Sequence, residues 1–363
     1  MTPSPATVDR LDTPALVVDL DALDANIGAI AATCARQRVH WRPHVKSHAC
    51  PQLAHRLIAA GAVGVTCAKL GEAEIMAAAG VGGILIANQI VGARKIERLV
   101  ALARRSEPIV TLDDIANAQA LAQAAREAGV RFGVVVEVDI GMRRAGLAAC
   151  ASAVAFAREV AALDGLSFEG FEGWEGQTSA IADPLAKRAA VDAAVGLIVE
   201  TARQARAAGL AVRIVSCGGT ATFPQTGGIE GVTEVQAGGA VFGDRRCREV
   251  SRLDMRCALT LVATVTSRPD PRRIVCDAGK KSMSDDAPGP RVCGVADVAS
   301  LKLSAEHATL TLVAPAATPH VGDRIVFEVG YSDSTVHLHD ELYAVRGDAI
   351  EAVWPVGPRG KAR

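Results

Sequence analysis

The sequence lacks any imbalance of charge: 39 Lys and Arg against 40 Asp and Glu over 363 residues give a formal net charge of -1. Without a basic excess, nothing marks nucleic acid or an anionic membrane as a partner. Long apolar runs are missing too, although 50% of the residues are hydrophobic, so no membrane-spanning segment is expected. The opening MTPSPATVDRLDTPALVVDLDALDANI has no basic-then-apolar order of the kind a secretory signal needs. Paired cysteines are absent as well. The nine cysteines, an odd number, are scattered from Cys34 to Cys293 with no CxxC spacing. That reads as free thiols, mostly buried as small apolar residues, in a reducing cytoplasm. The remaining composition, with 22% charged residues, is that of a globular protein able to build one large domain and a smaller one. Its expected partner is a small molecule.

Between residues 38 and 245 short β-branched runs alternate with Ala-rich stretches. Strands are expected at 38–44, 62–66, 83–87, 108–112, 131–138, 166–172, 212–216 and 232–236, with helices at 49–60, 71–79, 92–104, 113–128, 148–162 and 183–208. Gly61, Gly80, Gly129 and Gly209 stand where helices should stop. Strict alternation at this length favours a closed (β/α)8 barrel of the TIM type over an open doubly wound sheet. After about residue 250 the helical period fades, and runs such as ALTLVATVTS and DRIVFEVG alternate by two, as in an all-β domain. The division expected is a barrel over 1–248 and a β domain over 249–363. The strand in DTPALVVDLDAL can join either.

In such a barrel, reactive groups gather at the C-terminal ends of the strands, and phosphates are held after strands seven and eight. Strand seven runs into Cys217-Gly218-Gly219-Thr220, and strand eight into Ala237-Gly238-Gly239-Ala240. Paired glycines bring backbone N–H groups close to a phosphate, and Thr220 adds a hydroxyl. They are equally ordinary turn residues. Lys46 lies just past strand one, within His40-Trp-Arg-Pro-His-Val-Lys-Ser-His48. A lysine across a barrel mouth from a phosphate site suggests a Schiff base with pyridoxal phosphate, while a lone turn lysine needs no such role. Arg42 and the histidines would shape the charge around it. After strand five, Asp139, Gly141, Arg143 and Arg144 supply an arginine for a cofactor phenolate, or simply a turn with two surface cations.

TPALVVDLDALDANI, RPHVKSH, LIANQIVG, DIGMRRAG, SCGGT, QAGG, CDAGKKSMSDD and HLHDELYAVRG together resemble the D-threonine aldolase / D-serine dehydratase family of fold-type III pyridoxal-phosphate enzymes, relatives of alanine racemase. The resemblance implies an alanine-racemase-like barrel with a β domain closing the site in a homodimer. It places pyridoxal phosphate on Lys46 and Arg144 near its phenolate. Its phosphate falls to Gly218, Gly219, Thr220, Gly238 and Gly239. It implies a lyase that cleaves D-configured 3-hydroxy amino acids to glycine and an aldehyde. A dehydratase of the same family is an alternative.

Four positions depart from the family. Its GYEGH reads Gly173-Trp174-Glu175-Gly176-Gln177, so Trp174 flanks the cofactor and a substrate-facing histidine has become Gln177. The duty of a base at the hydroxyl then passes to His44, His48 or Glu175. The metal-binding segment, usually a His and then a Cys or Asp two residues on, reads Tyr331-Ser332-Asp333. Asp333 and His337, with His339, would share one face of an extended strand and could rebuild a site for Mn, Mg or Zn, or that face is merely polar. Tyr331 could instead oppose Lys46 as the second base of a metal-independent racemase or epimerase. Ala240 stands where many members carry a tyrosine.

Overall fold

A computed structural model of the chain describes residues 7–361. It separates into two compact units, one holding Ala29–Lys46 and Pro51–Gly238, the other the described residues up to Gly28 with Ser47–Cys50 and Gly239–Gly360.

The first unit is a parallel barrel. Its strands are β1 (His40–Trp41), β2 (Val65–Cys67), β3 (Ile84–Gln89), β4 (Ile109–Leu112), β5 (Phe132–Asp139), β6 (Leu166–Glu172), β7 (Ile214–Cys217) and β8 (Glu234–Val235). They pair in the order β1-β8-β7-β6-β5-β4-β3-β2. The ring closes between β1 and β2, where Val63 N–H donates to the Trp41 carbonyl (2.9 Å) and Thr66 N–H to that of Pro43 (2.9 Å). Each strand falls within about three residues of its sequence expectation, because the apolar cores Val134–Val136, Leu85 and Val215 are wholly buried on a sheet covered by helices.

The helices are Pro51–Ala59, Leu70–Ala78, Ala93–Ala103, Ile115–Ala128, Ala151–Ala161 and Pro184–Ala207. Their ends follow local chemistry. Asp114 caps Ile115–Ala128 by accepting from Asn117 N–H, and Gly129 ends it at φ 64°. Asp183 accepts from Ala186 N–H (2.8 Å) ahead of Pro184, which opens the longest helix.

The second unit is antiparallel apart from one pair. Leu259–Asp270 is its central strand, pairing with Arg273–Cys276 and Arg324–Glu328. Ala15–Asp19 joins this sheet, antiparallel to Leu259–Asp270 and parallel to Glu341–Arg346. Leu16, Leu259, Leu261, Phe327, Leu342 and Ala344 are buried in it.

Candidate active site

The exits of β1 and β8 lie side by side. Trp41 Nε1 donates to the Ala237 carbonyl (2.7 Å), and His44 N–H donates to the Gln236 carbonyl (3.1 Å). A Cβ on Gly238 would overlap the His44 backbone, so only glycine allows this approach. The chain then turns through Val45–Ser47, which carries Lys46. Lys46 Nζ lies 5.4 Å from the ring centroid of Trp174, just past β6, and Arg144 Cζ, beyond β5, also lies 5.4 Å from that ring. Asp139 shapes the Arg144 turn by accepting from the N–H of Gly141 (2.9 Å) and Arg143 (3.0 Å). Three residues far apart in sequence thus meet at one indole, each cation facing its π system.

The turn after β7 is braced from within. Glu175 has no exposed surface and accepts from Gly218 N–H (3.2 Å), Thr222 Oγ1 (2.6 Å) and Thr226 Oγ1 (2.5 Å). A carboxylate enclosed in that way is a structural acceptor, which removes Glu175 from the candidate bases. Gly218 supplies a backbone at φ 78° and gives its own N–H to Glu175, while its carbonyl accepts from Gln236 N–H (2.8 Å) on the β8 side. Among the described residues, the amides of Gly219, Thr220 and Gly238 have no backbone acceptor. A Cβ on Gly219 would stand 2.8 Å from Trp174 Nε1. Gly239 opens a short helical turn, Gly239–Phe242.

Beneath this rim lies a polar layer invisible to the motif reading. Glu172 at the end of β6 accepts from Thr111 Oγ1 (2.5 Å) on β4 and from Gln236 Nε2 (3.3 Å) beyond β8, so it bridges the barrel interior. Burial, reinforced by Glu137, pushes its carboxyl up to about 8. Glu137 on β5 accepts from Gln89 Nε2 (2.5 Å) and is also raised, by burial. A Glu inside each apolar strand, one in VVVEV and the second of two in FEGFE, was the signal available for these two. Arg42 is not free to tune Lys46. It forms a buried ion pair with Glu234 (2.9 Å) and reaches the Gly83 carbonyl.

The histidines of the opening segment divide. His40 is exposed on β1. His44 Nδ1 faces Lys46 N–H at 3.4 Å, a long contact for a hydrogen bond. His48 is wholly buried, its Nδ1 accepts from Cys50 N–H (3.1 Å), and burial lowers it to about 3, so it stays neutral and has no access to a substrate proton.

In the second unit the segment bearing Asp333 and His337 is not an extended strand. Ser332–Thr335 forms a helical turn and Val336–Leu338 continues it. The reason is a tertiary contact: Asp244, itself buried, accepts from both Ser332 N–H (2.7 Å) and Ser332 Oγ (2.7 Å), and the Ser-Asp-Ser-Thr run has little strand preference. The strand face expected to align Asp333, His337 and His339 therefore does not exist. His339 Nε2 pairs with the Ser282 carbonyl (2.6 Å). Asp333 Oδ1 accepts from Ser47 Oγ (2.5 Å) and Oδ2 from Tyr331 Oη (2.9 Å), while the Arg246 guanidinium lies 4.9 Å from the Tyr331 ring centroid. Burial and Asp333 push the phenol well above its ordinary range. Among the described residues, no group of three or more His, Cys, Asp or Glu is placed to hold a metal ion.

The family model described as "Alanine racemase, N-terminal domain" matches residues 18–246, and a serine dehydratase domain model matches 258–345. D-threonine aldolase of an Arthrobacter species is 34% identical over 359 residues, covering 98% of this chain and 94% of the relative. The crystal structure of D-threonine aldolase from Filomicrobium marinum superposes with a TM-score of 0.93 at 35% identity, covering 98% of this chain and 97% of that one. D-threo-3-hydroxyaspartate dehydratase from Delftia sp. HT23 superposes with a TM-score of 0.87 at 29% identity, over 97% and 99% of the two chains.

Proposed function

The chain belongs to the D-threonine aldolase and D-serine dehydratase family of pyridoxal-phosphate enzymes, with an alanine-racemase-like fold, and from that premise we propose that it is a lyase splitting D-configured 3-hydroxy amino acids between Cα and Cβ, to glycine and an aldehyde. The observation that carries this reading is the convergence of Lys46 and Arg144 on Trp174, on a rim where only glycine fits at 238.

The rim fits pyridoxal phosphate. Amides without backbone acceptors at Gly219, Thr220 and Gly238 offer donors for a phosphate. Gly218 sets the turn, Gly239 adds its amide, and Thr220 its hydroxyl. Lys46 is the anchoring amine, Arg144 the partner of the phenolate, and Trp174 the wall on which both cations rest. The chemistry supplied by the bound group is an electron sink for the pair left at Cα. His44 accepts the proton of the substrate hydroxyl as the Cα–Cβ bond breaks and the Cβ–O bond becomes a carbonyl. The Lys46 amine delivers a proton to Cα, which completes glycine.

A second reading is a racemase or epimerase with Lys46 and Tyr331 as its two bases, which the Tyr331 phenol disfavours, because it donates to Asp333 and is held well above its ordinary range. A dehydratase, in which Lys46 removes the Cα proton, is the third. We also place the enzyme in the cytoplasm as a homodimer. Its nine free cysteines suit a reducing compartment, and no described helix is long and apolar enough to cross a membrane. Sedimentation at equilibrium checks the dimer.

Hydride reduction of the purified holo-protein followed by peptide mapping tests the anchor. A covalent adduct on Lys46, lost in Lys46→Ala together with the visible absorbance, is the expected result. An adduct on another lysine contradicts it.

A further inference from the structure

We propose that the Tyr331–Asp333–Ser47 cluster closes the position that the family's metal-binding segment implies for a divalent cation, so that this chain holds no such ion there. The residues present do not fit such an ion. Both oxygens of the one retained acidic ligand already accept hydroxyl protons, Oδ1 from Ser47 (2.5 Å) and Oδ2 from Tyr331 (2.9 Å). A divalent ion needs lone pairs directed at it, and the Tyr331 phenol turns its proton toward the carboxylate. The Arg246 guanidinium over the Tyr331 ring (4.9 Å) adds a positive charge where a dication would have to approach. Among the described residues no third protein ligand is placed here, so an ion would rest on position 331 and Asp333 with waters completing its shell. His337 stands on a continuing helical turn, and His339 is held by the Ser282 carbonyl (2.6 Å).

The cluster is also built rigidly. Asp244, buried in the same unit, holds Ser332 between Tyr331 and Asp333 through two hydrogen bonds of 2.7 Å and accepts from Cys247 N–H (2.8 Å). Arg246 in turn donates to the Ala287 carbonyl (2.9 Å), which fixes the cation that stacks on the phenol. Replacing an imidazole with a phenol here has converted a ligand set into a closed hydroxyl–carboxylate network.

The proposal rests on the lyase reading only for what the cluster serves, because metal content is measured without turnover. Holo-protein is stripped with a chelator, dialysed against manganese chloride, desalted and assayed by inductively coupled plasma mass spectrometry. The unaltered chain is expected to retain no manganese, and Tyr331→Phe likewise, whereas Tyr331→His gains stoichiometric manganese. Thermal melts establish that each variant is folded. Stoichiometric manganese in the unaltered chain overturns the proposal. So does a folded Tyr331→His that binds none. Should Tyr331→His fail to fold, the unaltered chain decides alone. Turnover, measured in parallel, should be unchanged by the chelator, and a turnover restored only by manganese contradicts the cluster's role while leaving the lyase assignment intact.

Discussion

At the scale of single residues, the barrel is organised by acids that do no chemistry on substrate. Glu172 is the clearest. Its carboxyl is raised from 4.5 to about 8 by burial, so between those values the folded chain keeps a proton that the unfolded chain has released. Stability from this group is therefore full below the unfolded value and falls as pH rises through the folded one. Glu172→Gln removes the titration. The melting temperature of the unaltered protein should drop relative to Glu172→Gln as pH is raised from about 5 to about 9, and parallel curves would sink this account of Glu172. Lys46 was legible in the sequence because RPHVKSH sits at a strand exit, and Arg144 because DIGMRRAG does. Glu175, Glu172 and Arg42 were not. Their roles depend on which strands become neighbours across a closed barrel, as Thr111 and Gln236 do around Glu172, and no linear motif encodes that.

At the scale of elements, strands and helices of the barrel followed hydrophobic period and capping closely, since β-branched runs buried on both faces and Ala-rich amphipathic stretches leave little choice. The turn after β7 is a different kind of element, set by a side chain from another turn. Glu175 satisfies Gly218, Thr222 and Thr226 at once. Glu175→Gln presents an amide donor to these donors and leaves at least one buried group unpaired, a cost of about 1–3 kcal/mol. Equilibrium dialysis should show pyridoxal phosphate bound roughly 10- to 100-fold more weakly. Unchanged affinity would mean that the brace does not shape the cradle. The Ser332–Leu338 segment shows the opposite limit. Its alternation of His and apolar residues reads as a strand, but the buried Asp244 captures Ser332 and starts a helical turn. A partner 88 residues away in sequence decided the element.

At the scale of the whole molecule, the family and its fold were readable from motifs spread along nearly the full chain, and the comparisons extend over 98% of it. The reaction was less so, because the changes at Trp174, Gln177 and Tyr331 touch side chains that differentiate members of one family rather than the scaffold they share. Gln177, for instance, donates to the Ile140 carbonyl (3.0 Å) and is exposed, a positioning contact in place of a proton acceptor. On the proposed reading, the substrate's hydroxyl proton goes instead to His44 on the barrel rim. The central claim is cleavage of the Cα–Cβ bond, and product analysis tests it most directly. Holo-protein is incubated with D- and L-3-hydroxy amino acids, with and without manganese, and the products are separated by chiral chromatography. Glycine and the matching aldehyde, from D substrates alone and without added manganese, are the predicted result. A keto acid with ammonia, or the inverted isomer with no glycine, would contradict it.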